Sequence, residues 1–196
     1  NEFGFNAVYN LDILTQTQKE IFFHPAFLDN FPVFPVSYLP VFIIPFKILS
    51  LIKLPYSYGI WVLINLLGLI FYLKDFSKQS LQKSINLKLV LLAMLSLPSY
   101  LNLYYGQINL LLLISAGEFI KAISSEKPYK AGAWLGIWLI KPQMLILIIP
   151  FLILQRSLKV ILGFAIAAIL ILTISFGMIQ VDGFIALKDL LFEYST

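Results

Sequence analysis

The sequence predicts an all-α fold, a polytopic transmembrane helical protein, and two observations carry that prediction. Five apolar blocks lie between residues 57 and 179, separated by lysine-bearing gaps. Hydrophobic residues make up 60% of the chain against 12% charged, with a mean hydropathy of +0.89. A water-soluble core of this size would not carry such an apolar excess all round its helices. The net charge of +4 comes from basic residues placed between hydrophobic runs. That placement reads as a topology signal and excludes a nucleic-acid-binding face. Cysteine is absent, which excludes disulfides and thiolate metal sites within these residues.

Two regions are expected: an outer or periplasmic loop region over residues 1–35 and a transmembrane helical domain over 36–196. The chain opens Asn1-Glu2-Phe3 without Met or a charged leader and ends within a further apolar stretch. It is therefore expected to be a fragment of a larger membrane protein, with an incomplete helical domain.

In the first region Pro25, Pro32 and Pro35 oppose any regular helix after Ile21. Residues 10–20 suit a short surface helix, while Phe22, Phe23, Phe27 and Phe31 suit either the lipid interface or a cleft. Residues 38–52 are apolar but interrupted by Pro40, Pro45 and Lys47. As a helix they reach roughly 22 Å, short of the ~30 Å hydrocarbon core, so they are read as juxtamembrane or re-entrant. Residues 57–73 form a better span, with Trp61 and Tyr72 as interfacial anchors and Asn65 as the strongly polar interior residue. A helix over 87–97 is predicted to stop at Pro98. A polar turn follows over 102–107, and a helix over 108–120 returns. Two short arms, 131–140 and 144–154, meet at Lys141-Pro142-Gln143, and 160–179 is the longest uninterrupted span. Gly163 and Gly177 are its candidate points of close packing or bending.

Charge bias orients these segments. Lys74, Lys78, Lys83 and Lys88, then Lys121, Lys127 and Lys130, then Arg156 and Lys159 mark three cytoplasmic gaps. Residues 100–107, Lys141 and the acidic tail with Asp182, Asp189 and Glu193 then face outward. Glu2, Asp12, Glu20 and Asp29 against Lys19 place the first 35 residues outside as well.

Lys141 is the most unusual polar residue, set between two apolar arms and followed by Pro142. A fixed cation there suits a phosphate or pyrophosphate at headgroup level, and it equally suits a lysine that snorkels from a helix end. Pro142 fits the first turn of the returning arm, directing the next free N–H groups towards an anion. In Tyr104-Tyr105-Gly106-Gln107-Ile108-Asn109, the glycine permits a tight turn and the two amides match the paired needs of sugar hydroxyls or of neighbouring helix ends. Glu2, Asp12, Glu20 and Asp29 are the carboxylates outside the apolar layer where a general base must stand, although solvated loop charges are their ordinary role. Glu118 is expected to face headgroups. His24 has no partner at zinc-binding spacing, so neither a metal nor a cofactor is expected. No phosphate loop, dinucleotide fingerprint or serine elbow is present.

Three stretches stand out: Phe34-Pro35-Val36-Ser37-Tyr38-Leu39-Pro40 before a helix with Pro45, Tyr105-Gly106-Gln107-Ile108-Asn109 before an apolar run, and Ala131-Gly132-Ala133-Trp134-Leu135-Gly136 leading to Lys141-Pro142. In this order they resemble the polyprenyl-linked glycosyltransferases of superfamily C, especially the family 87 mannosyltransferase-like membrane proteins. The resemblance covers about residues 9–159. It implies a multi-pass protein of the cell membrane that uses a polyprenyl-phosphate-linked sugar from the outer side and inverts the anomeric centre. Lys141 would engage the donor phosphate, with Gln107, Asn109, Gly106 and Tyr105 at the sugar. The family's aspartate base lies just before a stretch like Ala7-Val8-Tyr9, where this chain has Asn1, Glu2, Phe5 and Asn6. The base is thus expected upstream of residue 1, or Glu2 replaces it, or the protein is inactive. The expected function is transfer of a hexose, with mannose as a candidate, to a lipid or glycan acceptor among membrane lipids. A membrane transporter and a non-enzymatic assembly subunit are the alternatives.

Overall fold

The computed structural model describes residues 6–21, 38–80, 87–141, 144–154, 156–179 and 181–193. Glu2, His24, Asp29, the loop phenylalanines and prolines, Phe34 to Ser37, Lys83 and Pro142 lie outside the described residues. Every regular element among those described is helical, as expected for an all-α chain. The chain divides into two compact units, residues 1–44 with 170–196 and residues 45–169.

In the first unit a 3-10 turn, Asn6–Tyr9, leads into α1, Leu11–Ile21. Asn10 caps α1, its Oδ1 accepting the N–H groups of Asp12 at 3.0 Å and Ile13 at 3.1 Å. Asp12 in the first turn and Lys19 in the last complement the helix dipole. Tyr9 is 1% exposed and packs with Ile43, Ile179 and Leu187. Its hydroxyl donates to the Tyr38 carbonyl at 2.7 Å, which satisfies the one polar atom that burial would otherwise orphan. That burial also raises the phenol pKa well above its ordinary value. α2, Pro40–Leu49, begins here, and α10, Val181–Glu193, packs on the 3-10 turn.

The second unit is organised by α3, Leu54–Ser80, and α6, Asn109–Ser124. Gly68 meets Leu110, Tyr72 donates to the Ile114 carbonyl at 3.1 Å, and Asp75 pairs with Lys121 at 3.4 Å. Residue numbers ascend together along both helices, so α3 and α6 run parallel. The return between them is made by α4, Leu87–Met94, and α5, Leu97–Tyr104.

Two boundaries differ from expectation. The helix expected over 87–97 ends earlier, at Met94, and Pro98 occupies the first turn of the next helix, α5, where its missing N–H leaves no bond unmade and Ser96 caps the turn by accepting the Ser99 N–H at 3.4 Å. Lys74 and Lys78 are not in a linker but on the last turns of α3, whose 27 residues reach about 40 Å, more than the hydrocarbon core requires. The Trp61 and Phe46 rings lie 4.7 Å apart between centroids, tilted at 51° to each other.

After α6 the chain forms α7, Pro128–Leu135, a 3-10 turn Gly136–Ile140, α8, Leu145–Leu154, and α9, Leu158–Met178. Fully buried Ser115 of α6 donates to the Trp134 carbonyl and accepts from Trp138 Nε1 at 2.9 Å, which ties the 3-10 turn to α6. Gly132 of α7 and Gly163 of α9 lie against opposing backbone, and a Cβ at either would collide with main-chain atoms. Small residues therefore set how closely these helices approach; Gly177, by contrast, faces open space.

α3 and α9 are long and apolar enough to cross a membrane. Only 11% and 17% of their most apolar stretches are buried, which separates them from the core helix of a water-soluble protein. Exposed residues such as Leu63, Phe71, Leu162, Ile166 and Leu170 need an apolar surrounding.

Candidate functional site

The site begins where α5 ends. Tyr105 N–H bonds the Leu101 carbonyl at 3.0 Å, Gly106 N–H that of Leu103 at 3.1 Å, and Gln107 N–H reaches back to Asn102 at 2.9 Å. The last two bonds form a Schellman cap, which needs a left-handed residue at its pivot. Gly106 supplies it with φ of +61°. The Tyr-Gly-Gln sequence thus has a structural reason: it ends one helix sharply and delivers Gln107 and Asn109 to the start of the next. Tyr105 remains exposed, in edge contact with Tyr104 at 5.1 Å.

Two strings of hydrogen bonds converge on Asn109. From one side, Lys141 Nζ donates to Gln107 Oε1 at 3.2 Å, and Asn109 Nδ2 donates to that same oxygen at 2.6 Å. From the other, the Asn109 N–H donates to Asn102 Oδ1 at 3.0 Å, Asn102 Nδ2 to Asn65 Oδ1 at 3.2 Å, and Asn65 Nδ2 to the Trp61 carbonyl at 2.9 Å. Asn65 and Asn102 are buried at 4% and 9% exposure, so their mutual pairing is what makes their burial tolerable. Asn109 Oδ1 is buried and lacks a hydrogen-bond partner among the described residues.

A cavity of about 370 Å³ opens beside this line, between α3, α4, α5 and α6. Leu66, Leu69, Leu110 and Leu113 wall it, and Asn65, Asn102 and Asn109 supply polar lining. Its size lies within the ~300–1,000 Å³ usual for small-molecule sites, as does its pattern of apolar walls with a few fixed polar groups.

Lys141 follows the 3-10 turn and is half-buried. No carboxylate among the described residues pairs with it. Desolvation lowers its pKa from the ordinary lysine value. An uncompensated, partly dehydrated ammonium beside two amides is suited to receive an anion next to a polyhydroxyl group.

Gly106, Gln107, Asn109 and Lys141 are therefore brought together, with Tyr105 one residue away on the surface. Glu2 lies outside the described residues. Asp12 and Glu20 are exposed on α1, Glu20 accepting from Gln16 at 3.2 Å. Glu118, expected to face headgroups, holds Lys121 at 2.7 Å, and Tyr72 packs beside both. Asn102, expected in the polar turn, lies in α5 and joins Asn65 as the support for Asn109. A polar residue inside each of two apolar helices was the only signal for that pairing.

Among the described residues the chain is all-helical, with two helices of membrane-crossing length, and Gln107 and Asn109 link Lys141 to the wall of an apolar cavity. A family model, glycosyltransferase family 87, matches residues 37–196, and the chain belongs to that family. Membership supports a glycosyltransferase-type function for the chain. Comparisons with curated proteins and with solved structures return no match.

Proposed function

We propose that this chain is part of a multi-pass membrane glycosyltransferase that moves a hexose, with mannose as the candidate sugar, from a polyprenyl-phosphate donor to a lipid or glycan acceptor at the outer membrane face. The observation that carries this reading is the Lys141–Gln107–Asn109 constellation, an ammonium with no carboxylate partner among the described residues that bonds Gln107, which in turn bonds Asn109. Lys141 meets the donor phosphate, while Gln107 and Asn109 line the sugar site formed by the Gly106 turn.

Transfer breaks the bond between the sugar's anomeric carbon and the phosphate oxygen and forms one from that carbon to the acceptor oxygen. A phosphate leaving group needs little proton donation, but its developing charge is stabilised by a fixed ammonium. The acceptor hydroxyl gives its proton to a carboxylate on the opposite face of the ring, as inversion requires. Glu2 or an aspartate upstream of it fills that role in this reading.

Membrane placement follows from charge. Lys78 lies 13 residues beyond Asn65 on α3, about 20 Å along the axis. Lys121 stands at the same end of α6 as Asp75 on α3, away from Asn109. The lysine-rich end is cytoplasmic by the positive-inside rule, which leaves the Lys141 end outside.

The test is transfer from labelled polyprenyl-phosphate hexose by membranes carrying the full-length protein. Lys141→Met should abolish transfer at unchanged protein level. Undiminished transfer by that variant would remove Lys141 from the mechanism, and no transfer by the wild type from any such donor would favour a carrier or an assembly subunit.

A further inference from the structure

The direction of every hydrogen bond around Asn109 is fixed by groups that have no choice. A lysine ammonium only donates, so the Gln107 atom facing it is the carbonyl oxygen. The Asn109 atom that meets this same oxygen must then be its NH₂. Asn109 therefore turns its Oδ1 away from Gln107, and this is the buried oxygen left without a partner among the described residues. Asn109 also lines the cavity, and its backbone is anchored independently through Asn102.

We infer that Asn109 Oδ1 is a hydroxyl-selecting acceptor, set in that sense by Gln107, so that the group bound beside Lys141 must offer an O–H donor. An acceptor-only group at that place would leave two oxygens facing each other without a proton, at the cost of an unmade buried bond. This deepens the reading of the site as a receptor for a phosphate-linked sugar and rests on it. It separates the site into an ammonium that meets the anion and a carbonyl oxygen that reads the hydroxyl, with Gln107 as the positioning residue between them.

The experiment measures binding of three probes to the full-length protein in nanodiscs: a farnesyl-length prenyl phosphate, the same phosphate carrying mannose, and that mannosyl phosphate with its hydroxyls methylated. The wild type should bind the free mannosyl probe about tenfold more tightly than the methylated one. Gln107→Leu, which frees the Asn109 amide to rotate, should bring that ratio close to one. Gln107→Glu keeps oxygens that accept from both Lys141 and Asn109 and should keep the ratio, even where neutralising the lysine weakens all three probes together. Equal binding of free and methylated probes by the wild type, or a ratio that survives Gln107→Leu, would overturn the inference. Lys141→Met reports separately on the phosphate reading: unchanged affinity for the bare prenyl phosphate would defeat that reading, while the wild-type ratio still judges the hydroxyl assignment.

Discussion

Lys141 donates to Gln107 across 34 positions of sequence, and this bond joins the 3-10 turn after α7 to the cap that ends α5. It gives a half-buried ammonium a neutral partner in place of a carboxylate. No carboxylate among the described residues cancels the charge, as the proposed anion site requires.

The lowered pKa of Lys141 sets the direction of a pH effect. Anion binding requires the protonated form, so affinity for a prenyl phosphate should fall on the alkaline side at a pH below the ordinary lysine value. Lys141→Arg, which stays charged, should remove that loss. Stability has the opposite sign: between the lowered and the ordinary value the unfolded chain binds more protons, so the folded state gains stability as pH rises through that window. A titration of binding against pH for the two proteins checks the first effect, and an alkaline limb common to both would contradict it.

The Asn65–Asn102 pair should behave as one unit. Asn65→Leu or Asn102→Leu alone leaves a buried amide unpartnered and should cost about 1–3 kcal/mol. The double variant should cost clearly less than the sum, because it removes both needs together. Thermal unfolding in detergent across the four proteins reads the coupling; strict additivity would show that the two amides do not depend on each other.

Three helix ends share the same cap but differ in its pivot. Gly106 sits at φ of +61°, whereas Glu126 and Arg156 adopt φ of 55° and 52° with a side chain attached. Gly106→Ala should therefore destabilise by about 1 kcal/mol, and Glu126→Gly should be neutral or stabilising by a similar amount. Denaturant midpoints decide it, and a loss of stability in Glu126→Gly would mean that its side chain contributes more than its strained backbone costs.

At the opposite end of the α3–α6 pair, Lys121 bridges Glu118 and Asp75 over the rings of Tyr72 and Phe76. Lys121→Met strips a mostly buried carboxylate of its partner and should cost about 1–3 kcal/mol. It should leave prenyl phosphate affinity unaltered in the protein that folds. A fall in affinity matching that of Lys141→Met would mean that the two ends are not separate sites.

Much of this was legible in the residues, and the remainder was hidden for physical reasons. Apolar blocks and turn chemistry are local, so the helical class, the Gly106 turn and the isolation of Lys141 can be read directly. Asn65 and Asn102 stand 37 positions apart, and no periodicity reveals that two polar residues in separate apolar helices find each other. Pro98 is ambiguous by nature, since proline disfavours the helix before it and favours the first turn of the one it begins. Lys74 and Lys78 resemble a linker in composition, yet long lysine stems suit the last turns of a helix that has already left the apolar layer. The pairing of Glu118 was hidden because one partner, Tyr72, lies 46 positions earlier on another helix.

The most direct test of the account is the sidedness of its two polar ends. Single cysteines at positions 141 and 78, in a chain that has none of its own, can be labelled in sealed, right-side-out vesicles with a membrane-impermeant maleimide. Position 141 should label from outside and position 78 only after the vesicles are opened. Labelling of both from the same side would contradict the placement of the lysine–amide site at the outer membrane face.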